Sequence, residues 1–196
     1  MRAYALKQSL RTKALNMKII LIGIQGAGKS TQGNLLSEKL NIPYLSTGHI
    51  FRELAKEKTP AGRYIKETLN AGYLIPDEKT LEIVKDYLKR SEYQKGYILD
   101  GFPRTLVQAE QFNSPIDKVV YLIISDKEAL KRLQFQNHDG VREDVTPKAI
   151  QKRIESFHNF TEPVIDYYKK KGLLVEIDGE KSIGEISKEI LYKLSK

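Results

Sequence analysis

The chain has 196 residues, 40% hydrophobic and 30% charged, which suits one globular domain with a substantial core; no apolar run approaches the ~20 residues needed to cross a membrane. It has no cysteine, so disulfides and thiolate metal sites are excluded, as fits a reducing compartment. Of the formal net charge of +8, four units come from residues 1–16, where Arg2, Lys7, Arg11 and Lys13 stand without an acid. The other 29 basic residues face 25 acidic ones, an excess that suits phosphorylated substrates and does not call for nucleic acid.

Residues 1–16 read as a basic extension without a fold of its own. A targeting presequence and an over-long start also fit this composition. A single domain is expected over 17–196. It opens on an Ile-rich run, Ile19 to Ile22, that reads as a short buried strand. Gly23, Gly28, Lys29 and Ser30 then fit G-x-x-x-x-G-K-[ST]. Glycines are needed there because backbone N–H groups must close on phosphate oxygens with no Cβ in the way. The helix that follows turns its unpaired N-terminal donors to the same anion. In such a loop Lys29 reaches the β/γ-phosphates, while the Ser30 hydroxyl, with Thr31 beside it, faces Mg²⁺. The spacing predicts binding of a nucleoside triphosphate.

Helical spacing continues over Gln32 to Leu40 and stops at Asn41-Ile42-Pro43. A short extended piece, Pro43 to Ser46, leads to helices over His49 to Lys58 and Ala61 to Asn70, with Thr59-Pro60 between them and Ala71-Gly72 after. Asp77 reads as the N-cap of a helix over Glu78 to Arg90. Two more buried strands are expected at Tyr97 to Asp100 and Lys118 to Ile124, the latter continuous and β-branched as parallel strands tend to be. Helices over Lys127 to Phe135 and Thr146 to Lys170 flank a polar stretch, and Leu173 to Ile177 and Ile183 to Leu194 supply a last strand and helix. The alternation predicts an α/β fold of the P-loop NTPase type, a parallel five-stranded sheet flanked by helices, with ligands at the strands' C-terminal ends.

Motifs in fixed order narrow the reading further. They are Gly-Ala-Gly-Lys-Ser-Thr-Gln (26–32), Leu-Ser-Thr-Gly-His-Ile-Phe-Arg (45–52), Gly-Tyr-Leu-Ile-Pro-Asp (72–77), Leu-Asp-Gly-Phe-Pro-Arg-Thr (99–105) with Gln108, and Thr-Glu-Pro-Val-Ile-Asp-Tyr-Tyr (161–168). In these the sequence closely resembles the adenylate kinase family of nucleoside monophosphate kinases, from Met17 to the C-terminus. The resemblance implies reversible transfer of the ATP γ-phosphoryl to AMP, giving two ADP, with Mg²⁺ as the cofactor and no zinc. It implies an ATP site of Gly26, Ala27, Gly28, Lys29, Ser30, Thr31 and Arg132, and an AMP site of Thr47, Arg52, Leu74, Ile75, Gly101, Arg104 and Gln108. Arg52 and Arg104, each on a loop after a neighbouring strand, would grip the AMP phosphate as bidentate forks. Thr47 and Gln108 would face the adenine and Leu74-Ile75 would wall it. Ser30 and Asp100 would hold Mg²⁺ through water. Lys29, Arg104, Arg142 and Arg153 would stabilise the moving phosphoryl, since this chemistry asks a protein for positioning and charge rather than a nucleophile.

The same resemblance implies a nucleotide-acceptor segment at about 46–75 and a lid at about 132–143. The lid is short, without the family's metal-binding insertion. Lid closure excludes water, and the adenylate kinase lid is itself a standard example of such gating. A cytoplasmic monomer with ATP, AMP and ADP as its partners, and with neither nucleic acid nor membrane, is expected. Three positions depart from the family pattern: His49 and Val145 each stand for an Asp, and Gln136 for a lid arginine. Ser30 replaces a common Gly but keeps the loop rule. His49 and His138 are isolated and read as ordinary polar residues rather than metal ligands. Two other readings stay open: a kinase for another monophosphate such as UMP or CMP, and a nucleotide-binding relative with weakened catalysis.

Overall fold

The computed structural model describes residues 16–138 and 146–196, with side chains over 16–135 and 146–196. Five parallel strands form one sheet in the order β2-β3-β1-β4-β5: β1 (Lys18–Ile22), β2 (Tyr44–Ser46), β3 (Tyr97–Asp100), β4 (Lys118–Ile123) and β5 (Leu174–Asp178). The Ile-rich run thus becomes the central strand. Ile20 lies opposite Leu99 of β3 on one side and Val119 of β4 on the other, and all three are fully buried. Side chains on both faces of these strands enter the core, which is why they carry no polar alternation.

Helices α1 (Lys29–Leu40), α2 (Thr47–Leu54), α3 (Pro60–Asn70), α4 (Asp77–Leu88), α5 (Leu106–Gln111), α6 (Asp126–His138), α7 (Pro147–Ser156), α8 (Glu162–Lys170) and α9 (Ile183–Leu194) connect and cover the strands. Their starts follow local capping chemistry. The side chains of Ser46, Thr59, Thr105, Thr146 and Ser182 accept backbone N–H bonds at the starts of α2, α3, α5, α7 and α9, the last as a reciprocal box with Glu185. Asn41, in the left-handed region, ends α1.

Three expectations need correction. Pro76, not Asp77, stands at the cap position of α4; Asp77 is the first helical residue and its carboxylate is engaged elsewhere. The helix expected over Thr146 to Lys170 is broken by a π turn, Phe157–Thr161, between α7 and α8. Glu162 N–H reaches back five residues to Phe157 O, and Pro163 has no N–H to offer the turn before it. Arg52 lies in the last turn of α2 rather than on a loop. The extension 1–16, save its last residue, and residues 139–145, which include the end of the lid, lie outside the described residues.

The chain leaves β1 through α1 toward β2 and β3 on one side, and later crosses to β4 and β5 on the other. That reversal opens a crevice beyond the C-terminal ends of β1 and β3, the place where open α/β sheets bind ligands.

Candidate active site

The crevice is a cleft of about 1290 Å³, open to solvent. At its floor the loop after β1 turns through Gly26 (φ 90°) and Gly28 (φ 86°), backbone that a side chain would strain, and delivers the chain into α1 at Lys29. Lys29 Nζ curls over this loop, donating to Gly23 O (2.7 Å) and Ile24 O (3.0 Å). Ser30 and Thr31 line the cleft from the first turn of α1. Ala27 does not: it is 1% exposed and packs in the core, so it offers the site only its backbone.

Asp100 ends β3 beside the loop and is 5% exposed. Its Oδ2 accepts a 2.7 Å bond from the Tyr44 hydroxyl and lies 3.5 Å from Ser30 Oγ. Its Oδ1 is buried and meets no hydrogen-bond partner among the described residues. Burial, and then the neighbouring Asp100 carboxylate, push the Tyr44 phenol far up, so it stays a donor. Tyr44 was passed over in the sequence as part of a short extended piece. The signal was Gly33 on α1: a Cβ there would overlap the Tyr44 ring.

Cations line the same cleft from separate elements. Arg52 comes from α2, Arg104 from the loop after β3 and Arg153 from α7. Arg104 Nε donates to Gly101 O (3.0 Å); Arg153 donates to Leu69 O at the end of α3 (2.8 Å) and to Gln25 Oε1 (3.3 Å). Arg132 reaches the loop from α6, its Nη1 3.4 Å from Gly26 O and its Nε donating to Glu128 (2.8 Å). Arg142 falls outside the described residues, as do the side chain of Gln136 and all of Val145. Three guanidinium groups and one ammonium around one buried carboxylate make a field for polyanions.

A smaller pocket adjoins the cleft and shares Gly48, Leu69, Tyr73, Leu74, Gly101 and Arg104 with it. Phe51 and Ile75 supply apolar walls, while Thr47, Thr80 and Gln108 supply polar groups. Thr47 Oγ1 donates to Asp100 O (3.1 Å) and crowds Gly101, where a Cβ would sit 2.6 Å from that oxygen. The pocket thus combines apolar walls with polar groups. So every site residue named from sequence, save Arg142, stands at or beside this double cavity. Gln25, Tyr73, Ser156, Phe157 and Thr161 line it too; Gln25, Tyr73 and Thr161 stand inside motifs already singled out but at positions given no role, while Ser156 and Phe157 lie in a helical stretch without a motif.

The adenylate kinase family model matches residues 21–173, which hold both cavities. The chain belongs to the adenylate kinase family. An adenylate kinase of Caldicellulosiruptor bescii is 38% identical over 91% of this chain and 99% of its own length, one of Cyanothece sp. 39% identical over 89% and 93%, and one of Archaeoglobus fulgidus 36% identical over 92% and 99%. The Caldicellulosiruptor alignment runs over 212 positions, more than the 196 residues here, so that relative carries residues without a counterpart; the Cyanothece alignment takes 182. Family membership makes this protein an enzyme, a kinase that transfers phosphoryl groups between adenine nucleotides.

Proposed function

We propose that the protein transfers the γ-phosphoryl of ATP to AMP, reversibly, giving two ADP. One observation carries the reading: a cleft lined by the phosphate loop and a set of arginines adjoins a smaller pocket with apolar walls and polar groups, and six residues line both. The loop and Lys29 bind the donor's phosphates, with Arg132 beside Gly26 covering the donor's adenine. Lys29 would exchange the carbonyls of Gly23 and Ile24 for phosphate oxygens, a stronger, charge-assisted pairing. Arg52 and Arg104 hold the acceptor's phosphate, and Thr47, Leu74, Ile75, Gly101 and Gln108 hold its base. Arg153, which stands between Gln25 of the loop and Leu69 of the acceptor segment, is placed to follow the charge as it moves. Arg142 joins it from the lid.

The donor set suits Mg²⁺. Asp100 Oδ1 is a buried oxygen without a partner among the described residues, and Ser30 Oγ lies across from the other carboxylate oxygen. Two hard oxygens and no soft ligand favour a hydrated Mg²⁺ over zinc. When bound, this ion neutralises charge across the β- and γ-phosphates. The protein's part is to keep the carboxylate oriented, which the Tyr44 hydroxyl does by donating to Oδ2. Water exclusion falls to the short lid. The Gln136 departure removes a positive charge that Arg132, Arg142 and Arg153 supply; the His49 departure removes a carboxylate and leaves the Mg²⁺ site to Asp100 and Ser30. A monomer working in the cytoplasm, with neither nucleic acid nor membrane as partner, completes the reading.

A coupled assay with Mg²⁺-ATP and each monophosphate in turn tests this. Rapid ADP formation with AMP, and little with CMP or UMP, is expected. Equal turnover with all three would overturn AMP as the acceptor, and none with any would leave only nucleotide binding.

A further inference from the structure

Asp77 is an acid in the first turn of α4 whose carboxylate caps nothing. Instead its Oδ1 accepts two bonds, from Gln108 Nε2 (2.7 Å) and from Thr105 Oγ1 (2.9 Å). Gln108 is 2% exposed, and its Oε1 accepts the backbone N–H of Arg104 at 2.7 Å. An ionised carboxylate only accepts and a backbone N–H only donates, so these two partners admit one orientation of the amide. A turned amide would set oxygen against the carboxylate and NH₂ against N–H, two repulsive contacts in a buried place. In the orientation held, Oε1 retains a second lone pair and Nε2 a second hydrogen.

We propose that Asp77 is a positioning residue for acceptor choice: by fixing the Gln108 amide it selects a 6-aminopurine monophosphate over a 6-oxopurine one. The inference rests on the reading of the smaller pocket as the acceptor's base site. A 6-aminopurine offers a donor (the 6-amino group) beside an acceptor (N1), the complement of Oε1 and Nε2. A 6-oxopurine offers the reverse, O6 as acceptor beside N1–H as donor, and meets the fixed amide with both pairings wrong. Thr105 braces the arrangement, since its Oγ1 donates to Asp77 while accepting the Gln108 backbone N–H (3.1 Å).

The test compares kcat and KM for AMP and for inosine monophosphate, with Mg²⁺-ATP, in the unmodified protein, Asp77→Asn and Glu78→Gln. Asn offers an oxygen or an NH₂, so the Gln108 amide loses one of its two constraints. The expected result for Asp77→Asn is a raised KM for AMP at little-changed kcat. Its preference for AMP over inosine monophosphate should fall about tenfold, short of collapse because Arg104 N–H still holds Oε1. Glu78→Gln removes the neighbouring first-turn charge of α4 without touching Gln108 and should keep the full preference. Thr105→Ala, which loosens the carboxylate without removing it, should move the ratio the same way by a smaller factor, and serves if Asp77→Asn does not fold. A preference unchanged in both Asp77→Asn and Thr105→Ala, or reduced equally in Glu78→Gln, overturns the inference alone. An unmodified protein that phosphorylates neither purine overturns the reading of the pocket and this inference with it.

Discussion

Lys29 and Gly101 show how single residues hold the site. Lys29 is half-buried on the phosphate loop and donates to two loop carbonyls, so Lys29→Ala should fold while losing about 10²–10³ in transfer rate, the usual loss for a preorganised charge stabiliser. The coupled assay beside a melting curve checks both halves; near-normal turnover would remove the loop from the chemistry. Gly101 sits at φ 80° against Thr47 Oγ1. Gly101→Ala forces an L-residue into left-handed backbone at about 1–2 kcal/mol. For a domain of this size that lowers Tm by about 2–8 °C. A raised KM for AMP should accompany it, because the new methyl displaces Thr47 or Arg104. An unchanged Tm and KM would show that the turn relaxes freely. The phosphate loop was legible in the sequence because its chemistry is written in eight consecutive positions. The Tyr44–Asp100 and Asp77–Gln108 pairs were not, since their members stand 56 and 31 positions apart and only the folded chain brings them together.

Among the elements, the π turn between α7 and α8 carries a charge clamp. His158 meets Glu162 through Nδ1 (2.6 Å) and Asp126, at the start of α6, through Nε2 (3.1 Å). Bonding to Glu162, and then to Asp126, raises the imidazole pKa above its ordinary value. A folded pKa above the unfolded one means the clamp's stabilisation is complete below about pH 6.5 and is lost as pH rises through the folded value. Tm measured from about pH 6 to about pH 9 should therefore carry a downward component that His158→Gln lacks. Parallel Tm profiles for the two proteins would show the clamp contributes nothing. Most other helices were legible from apolar spacing and caps, though α2 spans Thr47–Leu54 rather than His49 to Lys58; one extra residue in a helical turn leaves no mark on that periodicity. The same limit misplaced Asp77: an acid before an apolar run looks like a cap whether or not its side chain turns back on the helix.

For the whole molecule, nucleotide binding and stability are one equilibrium. Mg²⁺-ATP at a hundredfold excess over its Kd should add about 2.7 kcal/mol if it binds only the folded chain. That raises Tm by about 5–11 °C for a domain of this length. Thermal melts with and without Mg²⁺-ATP, repeated on Lys29→Ala, check it; the variant should gain far less, and an unmodified protein whose Tm ignores Mg²⁺-ATP would contradict the donor site. The parallel sheet was legible from its alternation of strands and helices, whereas the order of the strands was not, because no local pattern says which strand lies beside which. That order has a kinetic side. Ile19 pairs with Ile98 in β3 and Lys118 in β4, so both neighbours of the central strand are made long after it. At about 5–20 residues per second of synthesis, β1 waits roughly 5–20 s for β4 to be made. Until then its isoleucines are exposed and must be kept from sticking to other chains. Contacts so distant in sequence also make for slow folding. The binding loop, the most compact message in the sequence, is therefore among the last parts of the molecule able to act on it.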